Sequence, residues 1–241
     1  MMAPAIAVFC SGEGTNLQAI LDAIRAGRLR ARVALVIADR PEAKALARAA
    51  RAGVAARCVT PADYPTRAAF ERALIRACEA HDVRLICLAG FMRILSPVFV
   101  RRYRHHILNV HPALLPAFPG SHAVRDALRW GAKVTGVTVH LVDEEVDHGP
   151  ILLQETVRVL PSDTERTLLA KVHRVEHMLY PKAIEAMLYQ RRGLTPFNCR
   201  LTKKVSGPGR QRKISRRVLG RTRLRPVGRW ISRTTSKDSN L

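Results

Sequence analysis

The stretch AIAVFCSGEGTNLQAILDAIRAG at residues 5–27 decides the fold. Its first six residues are continuously apolar, as in a strand that is buried on both faces of a parallel sheet. A glycine-rich turn follows, and then apolar residues at helical spacing that end at Gly27, a type of position where helices commonly finish in a left-handed residue. This strand, turn and helix predict the first unit of an α/β domain.

The alternation of apolar runs and helical segments continues through the first half of the chain. Further strand-like runs occur at residues 32–38, 55–59, 83–89 and 105–110. Amphipathic segments lie between them, and the second of these ends at Gly53 in the same way as the first ends at Gly27. Alternating β and α elements of this length predict an open, mostly parallel, Rossmann-like α/β sheet over residues 1–190.

The second half of the predicted domain has a different pattern. Two runs at 134–142 and 150–159 alternate apolar and polar residues, which predicts an antiparallel pair at the edge of the sheet. A long amphipathic segment from about Asp163 to Gln190 predicts a final helix. We expect Pro181 to bend or divide this helix, because proline removes a backbone hydrogen bond.

The net charge of +22 is concentrated at the C-terminal end of the 241-residue chain. Residues 191–241 contain 16 Lys and Arg but one acid, Asp238. Periodicity stops there, so we expect a disordered basic tail that is separate from the domain at 1–190. Such a tail could bind polyanions such as RNA without sequence preference, but its single indole, Trp230, argues against a base-stacking surface.

Composition also indicates where the protein works. Five cysteines without C-x-x-C spacing favour reduced thiols over a disulfide framework. The start, MMAPAIAVFCSGEG, lacks the basic region of a signal peptide, and no apolar run approaches the roughly 20 residues needed to span a bilayer. These features favour a cytoplasmic globular protein that does not enter the membrane.

The glycine-rich turn SGEGTN at 11–16 is the first candidate binding site. It precedes a predicted helix, whose N-terminal backbone N–H groups would suit a phosphate. Gly12 and Gly14 match two glycines of the dinucleotide-binding fingerprint, but Leu17 occupies the third position. A dinucleotide site with Asp39 as its ribose-binding acid is therefore disfavoured, whereas a phosphate-bearing ligand and a purely structural turn both stay open.

Three further motifs contain polar residues that suit catalysis. Asn109 and His111 end a buried-type strand, and both can donate hydrogen bonds to an oxygen that gains negative charge, although a structural role is equally compatible. The acidic loop at 143–147 could place a carboxylate near His111 and raise its pKa, or simply face solvent. HRVEH at 173–177 matches a zinc-peptidase pattern, but no further ligand is specified, so we expect no metal site.

Several ordered motifs together resemble one family. They are SGEGTNLQAI, LAGFMRILSPVFV, ILNVHPALLPAFPGSH, GVTVHLV, EEVDHGPILLQ and VEHMLYP. Their order and spacing resemble those of the glycinamide ribonucleotide formyltransferases of purine biosynthesis, over about residues 5–190. The resemblance implies the formyltransferase fold and the transfer of a formyl group from 10-formyltetrahydrofolate, as co-substrate, to the amine of glycinamide ribonucleotide, without a metal.

The resemblance also assigns residues to the two small-molecule substrates. The phosphate of the ribonucleotide would contact Gly14, Thr15 and Asn16, and its ribose would contact Glu176. The folate would be bound by Arg67, Met92, Arg93, Ile94, Leu95 and Asn109. A loop would close over the pterin and read its edge with backbone groups of Asp143, Glu144, Glu145 and Val146.

Asn109, His111 and Asp147 match the catalytic residues of this family. Attack of the amine on the formyl carbon produces a tetrahedral species with a negatively charged oxygen, which Asn109 and a protonated His111 would stabilise. Asp147 would keep His111 charged and, through a water, help to move a proton from the attacking amine to the leaving folate nitrogen.

Two departures from the family pattern and two related enzymes complicate the assignment. Ala117 stands where relatives often carry a larger or basic residue, and the arginine-rich tail after Gln190 is not typical of the family. Formyltetrahydrofolate hydrolases and methionyl-tRNA formyltransferases share the Asn-x-His and Asp-x-Gly chemistry, but they typically lack the GEGTN loop and carry an additional domain. The sequence leaves open whether the protein is a monomer or a homodimer.

Overall fold

One sheet of seven strands organises residues 2–189, the part of the chain that the computed structural model describes. The strands are β1 (Ala5–Cys10), β2 (Arg32–Ala38), β3 (Ala56–Cys58), β4 (Leu85–Leu88), β5 (Ile107–His111), β6 (Val134–Leu141) and β7 (Ile151–Arg158). Their order across the sheet is β3-β2-β1-β4-β5-β6-β7; β1 to β5 are parallel, β6 is antiparallel to β5, and β7 is antiparallel to β6. The predicted open, mostly parallel sheet with an antiparallel edge pair is confirmed, and the predicted tail at 191–241 lies outside the described residues.

Six α-helices connect and cover these strands within the described range. They are α1 (Thr15–Arg25), α2 (Lys44–Arg51), α3 (Arg67–Glu79), α4 (Pro97–Arg102), α5 (Ala123–Arg129) and α6 (Glu165–Tyr189). The sequence pattern predicted α1, α2, α3 and α6 but not α4 and α5, which have six and seven residues and are too short to show a helical period. None of the helices between residues 2 and 189 is long and apolar enough to cross a membrane.

Pro181 does not divide the last helix. The helix continues from Glu165 to Tyr189 with Pro181 inside it, so of the two expected effects of the proline, a bend or a division, the division does not occur. Tyr180, Ala183 and Ile184 next to the proline are fully buried in the core. Their packing holds the segment in place and offsets the cost of the missing backbone hydrogen bond.

Alternate residues of β1 contribute to hydrophobic clusters on opposite faces of the sheet. Val8 packs with α1 and α6 on one face, whereas Phe9 packs with α3 and α4 on the other. Successive side chains of a strand point to opposite faces, so a strand that is covered on both faces has to be apolar throughout. This explains the unbroken apolar run at the start of the chain.

The loops after β1 and β4 meet at the point where the strand order reverses. The backbone N–H of Ser11 donates to Gly90 O at 2.9 Å, and the N–H of Met92 donates to Ser11 Oγ at 2.8 Å. Chains that leave neighbouring parallel strands in opposite directions open a crevice at the carboxyl edge of the sheet, which is the usual ligand site of open α/β folds. The glycine-rich turn and the segment after β4 therefore lie at the expected edge.

Candidate active site

Asn109 and His111 lie on the same face at the end of β5. They are two residues apart on a strand, so their side chains project to the same side. His111 is buried, and its Nε2 is 2.8 Å from the carbonyl oxygen of Phe118. A carbonyl oxygen only accepts hydrogen bonds, so Nε2 carries a proton and the ring presents Nδ1 to the rest of the site.

Asp147 brings a carboxylate to both of these residues. Its Oδ2 is 3.3 Å from His111 Nδ1 and accepts the N–H of Gly120 at 2.8 Å, while its Oδ1 accepts from Asn109 Nδ2 at 3.3 Å. Asp147 has a φ of 53°, in the left-handed region that Asp tolerates better than most side chains. The three residues that the sequence singled out as catalytic are thus in direct contact.

His140 is a buried member of this site that the sequence analysis missed. It lies opposite Asn109 in the antiparallel pairing of β5 and β6. Its Nδ1 donates to Leu141 O at 2.9 Å, which leaves Nε2 free to accept from Asn109 Nδ2 at 3.1 Å. This contact fixes the orientation of the Asn109 amide, and a histidine within the apolar run VTGVTVHLV was the signal that could have revealed it.

Burial lowers the pKa of His111, although the charge of Asp147 and the hydrogen bond to Phe118 act in the opposite direction. The direction differs from the sequence-based expectation that a neighbouring carboxylate would keep this histidine charged. The reason is desolvation, because removing the imidazolium from water destabilises it by more than the nearby Asp147 carboxylate stabilises it. The geometry still suits the charged ring, since its two nitrogens face the oxygens of Phe118 and Asp147.

The carboxylate of Asp147 stays ionised at neutral pH. Burial raises its pKa, but the His140 ring, the N–H of Gly120 and the charge of His111 together outweigh burial, so its pKa lies below the ordinary value. His140 Nε2 is 3.7 Å from Asp147 Oδ1, beyond hydrogen-bond distance, whereas Gly120 makes the short hydrogen bond to this carboxylate. Asp147 therefore presents a negative charge to His111 and Asn109 at physiological pH.

Thr138 and Gln154, two further residues missed by the sequence analysis, hold the loop that carries Phe118. The buried hydroxyl of Thr138 donates to Ala113 O at 2.7 Å and accepts from the N–H of Leu115 at 3.0 Å. Gln154 Nε2 donates to Leu115 O at 2.8 Å. These bonds fasten the proline-rich loop to β6 and β7 and so fix the carbonyl that orients His111.

The glycine-rich turn forms an open helix N-terminus. Gly14 adopts a φ of 67° at the N-cap of α1, and no side chain caps this helix. Asn16, which is buried, donates from Nδ2 to Glu176 Oε2 on α6 at 2.8 Å, and its Oδ1 has no partner within the described part of the chain. Backbone N–H groups without a side-chain cap at the positive end of a helix suit a phosphate.

Glu176 is a buried carboxyl beside this turn. Burial raises its pKa to about 7, and the hydrogen bond from Asn16 offsets this only in part. The carboxyl is therefore close to half protonated at neutral pH, and a hydroxyl donor that reached it would favour the ionised form. The contact with Asn16 ties α6 to the turn.

The structure places Asp39 and Arg93 together. Asp39 is fully buried at the end of β2, and its Oδ2 is 2.7 Å from Arg93 Nε. Asp39 is thus occupied by an ion pair, which is a structural alternative to the disfavoured role of a ribose-binding acid. The pair engages Nε of Arg93, and the half-exposed end of the side chain and the backbone are both left to contact a ligand.

The predicted folate residues after β4 divide into exposed and buried members. The side chains of Met92 and Ile94 are exposed, whereas Leu95 is buried in the core and supports the segment from below. Arg67 lies beside them and donates from Nη2 to the carbonyl of Ile94. The segment therefore presents two apolar side chains next to a cation, which suits an aromatic ligand with an anionic tail.

Glu71 joins Arg67 to this segment and was not singled out in the sequence. The buried carboxylate accepts from Arg67 Nε at 3.2 Å, from the N–H of Ser96 at 2.7 Å and from the Ser96 hydroxyl. All three donors point at one carboxylate, which satisfies its charge. Glu71 thereby fixes the distance between α3 and the residues before α4.

The acidic loop before β7 is mostly exposed apart from Asp147. Glu144 pairs with Arg101 of α4 at 3.1 Å, and Asp143 accepts from His148 Nδ1 at 2.8 Å and from the N–H of Glu145. The exposed Val146 adds an apolar side chain next to the catalytic carboxylate. The loop thus lies next to Asp147, and its role in closing over the pterin stays a prediction.

The HRVEH motif lies on α6 and does not assemble a zinc site. His173 and His177 stack with ring centroids 6.1 Å apart, whereas Glu176 turns to Asn16. Among residues 2–189, no cluster of three or more His, Cys, Asp and Glu side chains is arranged to hold a metal ion. The residues of the motif therefore belong to the surroundings of the glycine-rich turn.

Comparison with known proteins matches this fold and site to one group. The formyl transferase family matches residues 5–184. The phosphoribosylglycinamide formyltransferase of Bacillus subtilis is 42% identical over 76% of this chain and 93% of its own length, and that of Escherichia coli is 41% identical over 74% and 84%. A crystal structure of glycinamide ribonucleotide transformylase 1 from Symbiobacterium toebii has a TM-score of 0.75 at 50% identity, and covers 76% of this chain and 87% of that one.

A longer relative contains the same region as one part. The trifunctional purine biosynthetic protein adenosine-3 of Drosophila pseudoobscura is 45% identical over 74% of this chain, but the chain spans 13% of that protein's length. The match over most of the B. subtilis and E. coli enzymes defines the class. The chain belongs to the formyl transferase family and, within it, to the phosphoribosylglycinamide formyltransferases.

Proposed function

We propose that this protein transfers the formyl group of 10-formyltetrahydrofolate to the primary amine of 5-phosphoribosylglycinamide, a step of purine biosynthesis. The products are formylglycinamide ribonucleotide and tetrahydrofolate. The observation that carries the proposal is the contact of Asn109, His111 and Asp147 at the carboxyl edge of the sheet. It supports acyl transfer because it combines hydrogen-bond donors for an oxyanion with a carboxylate that can move a proton.

The ribonucleotide binds at the glycine-rich turn. Its phosphate lies on the backbone N–H groups of Gly14, Thr15 and Asn16, at the N-terminus of α1 that no side chain caps. A ribose hydroxyl donates to Glu176, whose raised pKa falls towards the ordinary value as this hydrogen bond forms. The loop that contains Ala117 contributes no charged side chain at that position, so the turn supplies most of the phosphate binding.

The folate binds between the segment after β4 and the acidic loop. The pterin packs against the exposed Met92 and Ile94 and is held at its edges by the backbone of Arg93 and Leu95. Backbone groups of Asp143, Glu144, Glu145 and Val146 close the other side, and Arg67 binds the anionic tail. Asn109 is within reach of both substrates because it lies at the strand end between these two segments.

The formyl oxygen is stabilised by Asn109 and His111. One hydrogen of the Asn109 amide is held by His140, and the other makes a long contact of 3.3 Å with Asp147. This second hydrogen turns to the formyl oxygen as charge develops on it. The same charge favours the protonated form of His111, which opposes the effect of burial on its pKa.

The proton transfer accompanies a balanced exchange of bonds. The amine nitrogen forms a bond to the formyl carbon, the bond from that carbon to the folate nitrogen breaks, and one amine proton moves to that nitrogen. Asp147, ionised and in contact with His111, accepts the proton through a water and returns it to the folate. No covalent intermediate with the enzyme and no metal are required by this sequence of steps.

The proposal is tested with the full chain by measuring tetrahydrofolate release from 10-formyltetrahydrofolate, with and without glycinamide ribonucleotide. Release that depends on the ribonucleotide and yields a stoichiometric amount of formylated product is expected. Release at the same rate without the ribonucleotide would identify a hydrolase instead, and no release under either condition would refute the enzyme reading. A cytoplasmic location, a monomeric or homodimeric state and polyanion binding by residues 191–241 stay predictions beside it.

A further inference from the structure

Helix α2 braces the glycine-rich turn through one face. The N–H of Ala45 donates to Gly12 O at 3.2 Å, and Lys44 Nζ is 2.8 Å from Glu13 Oε1. A Cβ atom added to Gly14 would lie 2.8 Å from Ala45 Cα, so the two backbones are in close contact. Three consecutive residues of the turn are thus positioned by a single turn of α2.

Arg48 makes the two hydrogen bonds that complete this contact. Its Nε donates to Glu13 O at 2.8 Å, and its Nη1 donates to Gln18 Oε1 on α1 at 3.2 Å. A guanidinium has a fixed, planar set of donors, so one side chain holds the turn and the helix after it at a constant separation. The orientation of the Glu13 carbonyl sets the orientation of the peptide N–H that follows it, at Gly14.

Arg48 also contributes its charge to a groove along one side of α1. The groove has a volume of about 410 Å³ and is lined by Arg48 together with Thr15, Gln18, Asp22, Arg28 and His177. Burial lowers the pKa of His177, and the positive charges of His173 and Arg48 lower it further. A cation in this position raises the potential at the N-terminus of α1, where an anion is favoured by the helix dipole.

We propose that Arg48 is a positioning residue that determines the preference of this site for a phosphorylated amine. It touches no reacting atom, but it fixes the turn whose N–H groups receive the phosphate and adds a positive charge beside them. The inference rests on the proposed function, because the phosphate in question is that of the ribonucleotide. It predicts that replacement of Arg48 weakens the binding of phosphorylated ligands only.

The test compares Arg48→Met and Arg48→Lys with the wild type and with Arg51→Met. Arg51 is exposed on the same helix, three residues further on, and serves as the matched control. We expect Arg48→Met to raise KM for glycinamide ribonucleotide about tenfold, as the loss of a charged hydrogen-bonding group does, with kcat and the folate KM within about twofold of wild type. Arg48→Lys should recover part of the loss through its charge alone.

The substrate without phosphate, glycinamide riboside, separates positioning from a general structural effect. Its kcat/KM should be the same for wild type and Arg48→Met, because there is no phosphate to position. Equal losses with the riboside and the ribonucleotide, or no loss with either, would overturn the proposal. Circular dichroism and Tm identify a variant that fails to fold, in which case Arg48→Lys alone decides between these outcomes.

A binding measurement keeps this inference distinct from the proposed function. Titration of the protein with inorganic phosphate needs no turnover, so it remains informative if the wild type has no formyl transfer activity. We expect the Kd for phosphate to rise about tenfold in Arg48→Met and to stay unchanged in Arg51→Met. Identical phosphate binding in all variants would refute the role of Arg48, whatever the outcome of the activity assay.

Discussion

The Oδ2 atom of Asp147 lies 3.3 Å from Nδ1 of His111 and also accepts the backbone N–H of Gly120. One carboxylate oxygen therefore joins the end of β5, the loop after it and the loop before β7. The other oxygen accepts from Asn109, so the carboxylate contacts every side chain that the proposed mechanism uses. Loss of the Asp147 charge should thus change both the reaction rate and the pKa of His111, while the protein still folds.

Asp147→Asn should lower kcat by at least about 10²-fold, because the variant has no carboxylate to accept a proton. Its fold should be retained, since Asn also tolerates the left-handed backbone and its amide oxygen still accepts from Gly120. Steady-state kinetics and Tm check both statements. Asp126→Asn, at a half-exposed acid on α5, is the control, and a wild-type rate in Asp147→Asn would rule out the proton-transfer role.

Asp147→Asn should also shift the titration of His111 to lower pH. Burial already lowers the pKa of His111, and the Asp147 charge is a contribution that raises it. Removing that charge leaves burial less opposed, so the imidazolium form is lost at a lower pH. The measurement is an NMR titration of labelled histidine.

Asp143→Asn is the matched control for that titration. Asp143 raises the pKa of the exposed His148, so this variant should move the His148 titration to lower pH and leave the His111 titration in place. An unchanged or higher titration midpoint for His111 in Asp147→Asn would mean that the charge of Asp147 does not affect the pKa of His111 across their 3.3 Å contact.

Glu176 should make the stability of the ligand-free protein depend on pH. Its pKa is raised from 4.5 to about 7 in the folded state, so its favourable contribution is complete below pH 4.5 and is lost as the pH rises through 7. Glu176→Gln resembles the protonated form at every pH. Its free energy of unfolding should exceed that of wild type by about 3 kcal/mol at pH 8 and by little at pH 4.5.

Denaturant unfolding at a series of pH values measures this difference. Glu185→Gln is the control, because Glu185 on the same helix is paired with Arg30 and partly exposed. Its difference from wild type should not grow between pH 5 and pH 8 in the way expected of Glu176→Gln. A constant difference for Glu176→Gln would show that the carboxyl is not titrating in this range.

Gly14→Ala and Gly12→Ala form a matched pair on the glycine-rich turn. A Cβ at position 14 would meet Ala45 Cα at 2.8 Å and would sit on a residue with a φ of 67°, whereas a Cβ at position 12 has nothing within 4 Å. Gly14→Ala should therefore lower the free energy of unfolding by about 2 kcal/mol and weaken ribonucleotide binding. Gly12→Ala should keep the wild-type Tm; equal Tm values for the two variants would contradict the close contact between the turn and α2.

Glu71→Gln should destabilise the protein and weaken folate binding. Three donors converge on the buried Glu71, and the amide group of glutamine would place its own donors against Ser96 or Arg67. We expect the free energy of unfolding to fall by about 3 kcal/mol, and the KM for the folate to rise with little change in kcat. Glu79→Gln, which breaks an exposed pair with Arg102, should lower the free energy of unfolding much less, and a similar cost at both positions would argue against a special role for Glu71.

The sequence predicted the sheet because its strands are covered on both faces and must be apolar throughout. It also predicted Asn109 and His111 as site residues from their place at the end of such a strand, and Asp147 through the family resemblance. It missed α4 and α5, which are too short to show a period, and of the bend or division that it predicted at Pro181 the division does not occur, because buried neighbours hold the helix together. A local sequence pattern predicts an element where one interaction dominates, and it fails where tertiary packing decides whether the element forms or continues.

The sequence by itself determined the alternation of the strands with α1, α2, α3 and α6, the position of the glycine-rich turn and the chemical groups at the strand ends, because backbone sterics and the burial of apolar residues act locally. Only the tertiary structure decided that Asn109 is oriented by His140, that Arg48 braces the turn from α2, and that burial outweighs Asp147 in setting the pKa of His111. These relations depend on distances between segments far apart in the chain and on how completely water is excluded. Neither quantity is encoded in a local pattern.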